Sequence, residues 1–174
     1  LIWTTTPWTL VSNTAAAVNP EVSYVVARTA SGETLLVAEA LREAVLGEDS
    51  QVLETLAGTD VVGTPYARPF TGVEFPATDG PLHTVLAADF VTTEDGSGVV
   101  HQAPAFGPED LALCRRYGLP VVNPLRPDGT FDADHAPAPW AGRWVKDCDR
   151  DLQRELKERG LVWHAERYQH DYPF

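Results

Sequence analysis

Six stretches set β-branched or aromatic residues in runs or in alternation, and each predicts a strand. They are 1–8 (LIWTTTPW), 22–29 (VSYVVART), 33–39 (ETLLVAE), 83–91 (HTVLAADFV), 98–103 (GVVHQA) and 119–123 (LPVVN). Ser31 and Gly32 sit where the second strand would turn back into the third. Three further stretches carry helical apolar spacing with a stop signal. AEALREAVLG (38–47) ends at Gly47, PEDLALCRRYG (108–118) has Pro108 in its first turn and ends at Gly118, and DCDRDLQRELKERG (147–160) starts on Asp and ends at Gly160. Residues 123–140, with NP, RPDG and APAPW, read as a loop-rich surface excursion. There is no internal repeat. Many short strands and a few separate helices, without regular βαβ alternation, predict an α+β domain: a closed or nearly closed β-barrel core with peripheral helices.

Composition narrows the picture. At 174 residues and 44% hydrophobic content the chain can bury one real core and is short for two, so 1–174 is expected to be a single domain. No apolar run approaches the ~20 residues that span a bilayer, and no basic leader precedes an apolar stretch; no membrane partner is expected. The sequence starts at Leu1 and contains no Met, which predicts that translation begins outside it and that it is a piece of something larger. Cys114 and Cys148 show no spacing suited to a metal or a disulfide framework, which favours a reducing, cytoplasmic setting. A net charge of −12, from 25 acidic against 13 basic residues, works against an independent grip on nucleic acid.

Candidate chemistry concentrates in EDGSGVVHQAPAFGPEDLALCRRYG (94–118). Here Gly96 and Gly98 allow close approach, VVHQA is a strand, and 103–107 turn the chain into a helix. His101 then lies at a strand end and Asp110 in the first turn of a helix, where free N–H groups and the dipole favour an ionised carboxylate. Asp110 either supports its helix or receives an ammonium group; His101 is either a packed, hydrogen-bonded residue or part of a site. Thr4, Thr5 and Thr6 have no activating base placed beside them by any spacing rule, so hydrogen-bonding roles suit them better than nucleophilic attack. Strand alternation puts Thr4 and Thr6 on one side and Thr5 on the other, so only part of the run can line one pocket. His164, His170 and Asp171 lack a second ligand pair of familiar spacing, and no metal is expected. Arg150, Arg154, Lys157 and Arg159 alternate with acids as a solvated helix face does.

WTTTPWTL, NTAAAVNPE and GSGVVHQAPAFGPED together resemble the editing domain of isoleucyl-tRNA synthetase, the insertion called connective polypeptide 1. The likeness continues through GRWVKDCDRDLQRELKERGLVWHAERYQHDYPF and so covers nearly the whole chain. Valyl and leucyl enzymes carry TTRPE or TTRPD in the threonine-rich segment, whereas Trp8 follows Pro7 here. One departure is Ser97, where the family commonly has Thr; the hydroxyl is kept.

The resemblance implies hydrolysis of valine wrongly attached to isoleucine-specific tRNA, and of valyl-adenylate. One methylene discriminates by only about 1–3 kcal/mol, a limit for which isoleucyl-tRNA synthetase is the standard illustration. It implies that Asp110 binds the substrate α-ammonium, that His101 walls the side-chain pocket against isoleucine, and that Thr4, Thr5 and Thr6 contact the ester and terminal adenosine and order the attacking water. Trp8 and Phe106 would shape the apolar part, and Tyr168 would approach the adenosine. The implied partners are the tRNA 3′ end carrying valine and the remainder of a synthetase, with no cofactor and a monomeric state. Two rival readings remain: a catalytically silent module that holds the tRNA end, and a valyl-type domain clearing threonine.

Overall fold

The computed structural model describes residues 1–136 and 138–165. In chain order the elements are a 3-10 helix Pro7–Ser12, β1 (Ala15–Val18), β2 (Ser23–Arg28), β3 (Thr34–Ala38) and a 3-10 turn Glu39–Leu41. Then come α1 (Arg42–Leu46), β4 (Gln51–Ala57), α2 (Gly58–Val61), β5 (Val85–Ala87), β6 (Val99–Gln102), α3 (Pro108–Arg116) and α4 (Val145–Glu158). Helices and sheets segregate as an α+β arrangement, but among the described residues the strands do not close into the expected barrel. They form two three-stranded sheets, β5-β1-β6 and β3-β2-β4. At one corner the sheets are hydrogen-bonded to each other: the Ala38 N–H donates to the Ser97 carbonyl (2.9 Å) and the Tyr24 hydroxyl to the Gly98 carbonyl (2.7 Å). That corner needs glycine: Gly98 has φ +74°, and an added Cβ would collide with the Ala38 Cβ. Strands of three to seven residues, one with a register shift at Val26/Ala27, leave too little ladder to close the ring.

Several expected elements are moved or absent, each for a local reason. Residues 1–8 are not a strand. Trp3 makes a single parallel bridge to Val100, after which Pro7, lacking an N–H and with its φ set, starts a helical turn. Residues 119–123 are not a strand either; Leu119 and Val122 anchor an irregular segment that Pro120 cannot pair. The helix expected over 38–47 survives only as a 3-10 turn and α1 before Gly47 (φ +89°). Two strands went unpredicted. β1 is an alanine-rich AAAV run of weak strand propensity, and β4 is an exposed strand whose QVLETLA has no clean alternation.

The cores explain β1. Ala16 and Val18 face the interior between the two sheets with Tyr24, Val25 and Val37, while Ala15 and Ala17 face a second core with Leu86, Leu113 and Cys114. A strand buried on both faces can be small and apolar throughout. A third core joins the Pro7–Ser12 turn to α4 through Leu10, Val11, Cys148, Leu152 and Leu156. Phe131 and Trp140 are buried in it, so the 123–140 segment is part of this core and not a surface excursion.

Candidate active site

β6 carries His101 beside Ala16 of β1, and the turn that follows hands the chain to α3. The Phe106 N–H donates to the Ala103 carbonyl (3.0 Å), closing that turn, and Pro108 begins the helix. This geometry swings Asp110 back so that its Oδ2 accepts the Ala103 N–H at 2.7 Å. Opposite lies the threonine segment, docked through the Trp3 bridge and through the Trp8 N–H, which donates to Asp149 Oδ1 of α4 (3.1 Å). Between them is a cleft of about 320 Å³. Its polar lining includes Thr4, Thr6, Thr9, His101, Asp110 and Lys146, and its apolar lining includes Trp8 and Phe106.

His101 is buried and held at both ring nitrogens. The Tyr66 hydroxyl donates to Asn13 Oδ1 (2.6 Å), and the Asn13 amide donates to the Ala15 carbonyl (3.0 Å) and to His101 Nδ1 (2.8 Å). With Nδ1 accepting, Nε2 carries the proton and donates to Thr9 Oγ1 (3.0 Å), whose own hydroxyl donates to the Thr6 carbonyl (2.8 Å). Every donor and acceptor in this line agrees on one direction, and the line ends on the backbone of the threonine run. Burial pushes the His101 imidazole down to about 4, the Thr9 contact working weakly the other way. The ring is therefore a neutral, oriented wall, with no free nitrogen to take a proton from water.

Asp110 is half-buried, and that burial is the largest influence on its carboxyl, raising it above the ordinary carboxylate range. The Ala103 N–H offsets this in part, and Glu109 adds to it. The direction is opposite to the one the helix start predicts, because desolvation outweighs the local donors. A carboxylate short of solvent and of positive partners gains most from a ligand cation. Gly107 keeps it open: an added Cβ would stand 3.2 Å from Asp110 Cγ. Phe106 packs edge-on against Trp8, with centroids 4.7 Å apart, giving an apolar wall beside the carboxylate.

Of the residues singled out by sequence, Thr4, Thr6, Trp8, Phe106, His101 and Asp110 meet in this cleft. Thr5 does not line it; it is exposed, and its hydroxyl sits 3.4 Å from that of Thr6. Tyr168, His170 and Asp171 lie outside the described residues, and among those described no three His, Cys, Asp or Glu side chains group as a metal site would. Arg154 pairs with Asp151 and Arg159 with Glu155, as a solvated face does. Sequence reasoning missed Thr9, Asn13, Tyr66 and Lys146. Thr9 alone had a local signal, three residues beyond Thr6 in a turn that Pro7 opens.

No family model matches the chain. Over 99% of its length it is 53% identical to the isoleucine–tRNA ligase of Streptomyces avermitilis. Over its whole length it is 42% identical to that of Methanothermobacter thermautotrophicus. It spans only 16% of each of these relatives. Among solved structures it resembles GlLeuRS-CP1, with a TM-score of 0.67 at 18% identity, covering 92% of this chain and 80% of that one. It also resembles the Plasmodium knowlesi cytosolic leucyl-tRNA synthetase editing domain, with a TM-score of 0.62 at 12% identity, covering 92% and 81%. By sequence, then, the chain is similar to a segment of the isoleucine–tRNA ligases, and it shares its fold with the two leucyl-tRNA synthetase structures.

Proposed function

We propose that the chain is a proofreading hydrolase that releases valine from isoleucine-specific tRNA, and from valyl-adenylate, as one part of a larger synthetase in the cytoplasm. The observation that carries this reading is the cleft itself: one desolvated carboxylate, Asp110, shares about 320 Å³ with a fixed neutral histidine and two threonines. Asp110 binds the α-ammonium of the aminoacyl group. His101, unable to turn because both nitrogens are bonded, limits the length of the side chain that fits against Trp8 and Phe106.

The reaction is attack of an oriented water on the ester carbonyl. Thr4 and Thr6 orient that water and the ester, and the neighbouring ribose hydroxyl of the substrate relays a proton from the water to the departing ribose oxygen, so that the ester C–O bond breaks to give free valine and a neutral ribose diol. An aminoacyl ester is already activated, so positioning supplies much of the rate. His101 does not serve as the base, since its Nε2 donates to Thr9.

The test is release of valine from valyl-tRNA, with isoleucyl-tRNA as control, by an isoleucine–tRNA ligase carrying this sequence and by its Asp110→Ala variant. The variant should lose roughly 100-fold or more in valine release, the scale of a lost charge-assisted anchor together with misplacement of the ester. Unchanged release would remove Asp110 from the ammonium role.

A further inference from the structure

The cleft contains a cation that the ammonium anchor and the side-chain wall do not use. Lys146 stands in the first turn of α4 and lines the cleft with its Nζ 5.9 Å from the centroid of the Trp8 ring. In a chain of net charge −12 its local surroundings would be expected to neutralise it. Yet among the described residues no carboxylate forms an ion pair with Lys146. Arg143, Arg154 and Arg159 of the same region are all paired. Asp149, one turn along α4, feels the charge of Lys146 but commits an oxygen to the Trp8 backbone N–H. A ligand bearing anionic oxygens in the cleft would give Lys146 the counter-charge that its cation–π contact with the Trp8 ring does not.

The reaction proposed above says which oxygens these are. Its two substrates share an adenosine with a phosphoryl group on the 5′ oxygen, a phosphodiester in the tRNA end and the acyl-bearing phosphate in the adenylate. We infer that Lys146 is a phosphate-binding residue, holding the 5′-phosphoryl group of the adenosine whose aminoacyl group Asp110 anchors. The cleft then has a carboxylate for the ammonium and an ammonium for the phosphate, with the Trp8–Phe106 pair lining the same cleft. This also gives an acidic chain one attractive contact to a nucleic-acid end without a basic surface.

The inference rests on the proposed function, and its test separates the two. Titration calorimetry on the chain uses valine in amide linkage to 2′-amino-2′-deoxyadenosine, with and without a 5′-phosphate. The wild type should bind the phosphorylated analogue about tenfold more tightly, the scale of one charged hydrogen bond. Lys146→Met should erase that preference and leave the unphosphorylated affinity unchanged, and Lys146→Arg should keep most of it. The dependence of log Kd on log salt for the phosphorylated analogue should fall by about one in Lys146→Met. Two further ligands identify the source. Weaker binding of a valyl analogue ending in cytidylyl-adenosine assigns the contact to the tRNA end; weaker binding of a non-hydrolysable valyl-adenylate assigns it to the adenylate. No phosphate preference in the wild type, or equal weakening of both analogues by Lys146→Met, would overturn the assignment. Adenosine and its 5′-monophosphate form a valine-free pair. A Lys146-dependent preference there, with no gain from valine and no effect of Asp110→Ala, would leave the phosphate site standing and sink the editing reading.

Discussion

His101 shows how burial converts a titratable residue into a structural wall. Its folded value of about 4 lies below the ordinary histidine value of about 6.5. As pH falls the unfolded chain therefore takes up a proton first, while the folded chain resists. The stabilising effect is fully present above the unfolded value and is lost between about pH 6.5 and about pH 4, a window worth on the order of 3 kcal/mol. Urea unfolding across that range should show this slope in the wild type and a flatter one in His101→Gln. Identical slopes would mean that His101 is not held neutral. Of this residue's environment the sequence reveals nothing beyond its strand. Its partners Thr9 and Asn13 lie 92 and 88 residues away, and Tyr66 stands a further 53 residues from Asn13. Asp110 was legible as a helix-start carboxylate, but the sign of its shift was not, since desolvation is a property of what packs around it.

At the scale of elements, the strand–turn–helix from β6 to α3 does most of the positioning, and it is local enough to be read from sequence. GVVHQA, the turn and PEDLALCRRYG fall close to where β6 and α3 lie. Within it, Gly107 is the position that bears on the Asp110 carboxylate. The backbone there, φ −139° and ψ 135°, suits any residue, so alanine should not unfold the chain. A Cβ 3.2 Å from the Asp110 carboxyl carbon would instead push the carboxylate aside by a few tenths of an ångström. Gly107→Ala should slow valine release by about tenfold while the melting temperature holds or rises slightly. A full-rate variant would show that Asp110 tolerates displacement. The threonine segment behaved differently. Alternation correctly separated Thr5 from Thr4 and Thr6 although the run is not a strand, because the turn formed by the Thr6 N–H on Thr4 Oγ1 (3.1 Å) keeps that parity.

For the whole molecule, charge sets the terms of recognition. With a net charge of −12 the chain alone should hold tRNA no better than non-specific binders do, with Kd of about 10⁻⁶ M or weaker at physiological salt. Nanomolar binding by the 174-residue chain in filter or calorimetric titration would contradict this. Composition, the helix punctuation and the motif-bearing segments were determined by sequence alone, because each depends on neighbours within a few residues. Chain-wide likeness to isoleucine–tRNA ligases was legible there for the same reason, and the relatives at 53% and 42% identity agree. Tertiary structure decided the rest. Whether short strands close a ring depends on pairing across the chain, and among the described residues it stops at two three-stranded sheets bonded to each other at Gly98. The burial of an alanine-rich strand, of Phe131 and of Trp140 depends on what covers them. Above all, Lys146 of α4, Asp110 of α3 and the neutral His101 of β6 share one cleft only because three separate cores bring their elements together.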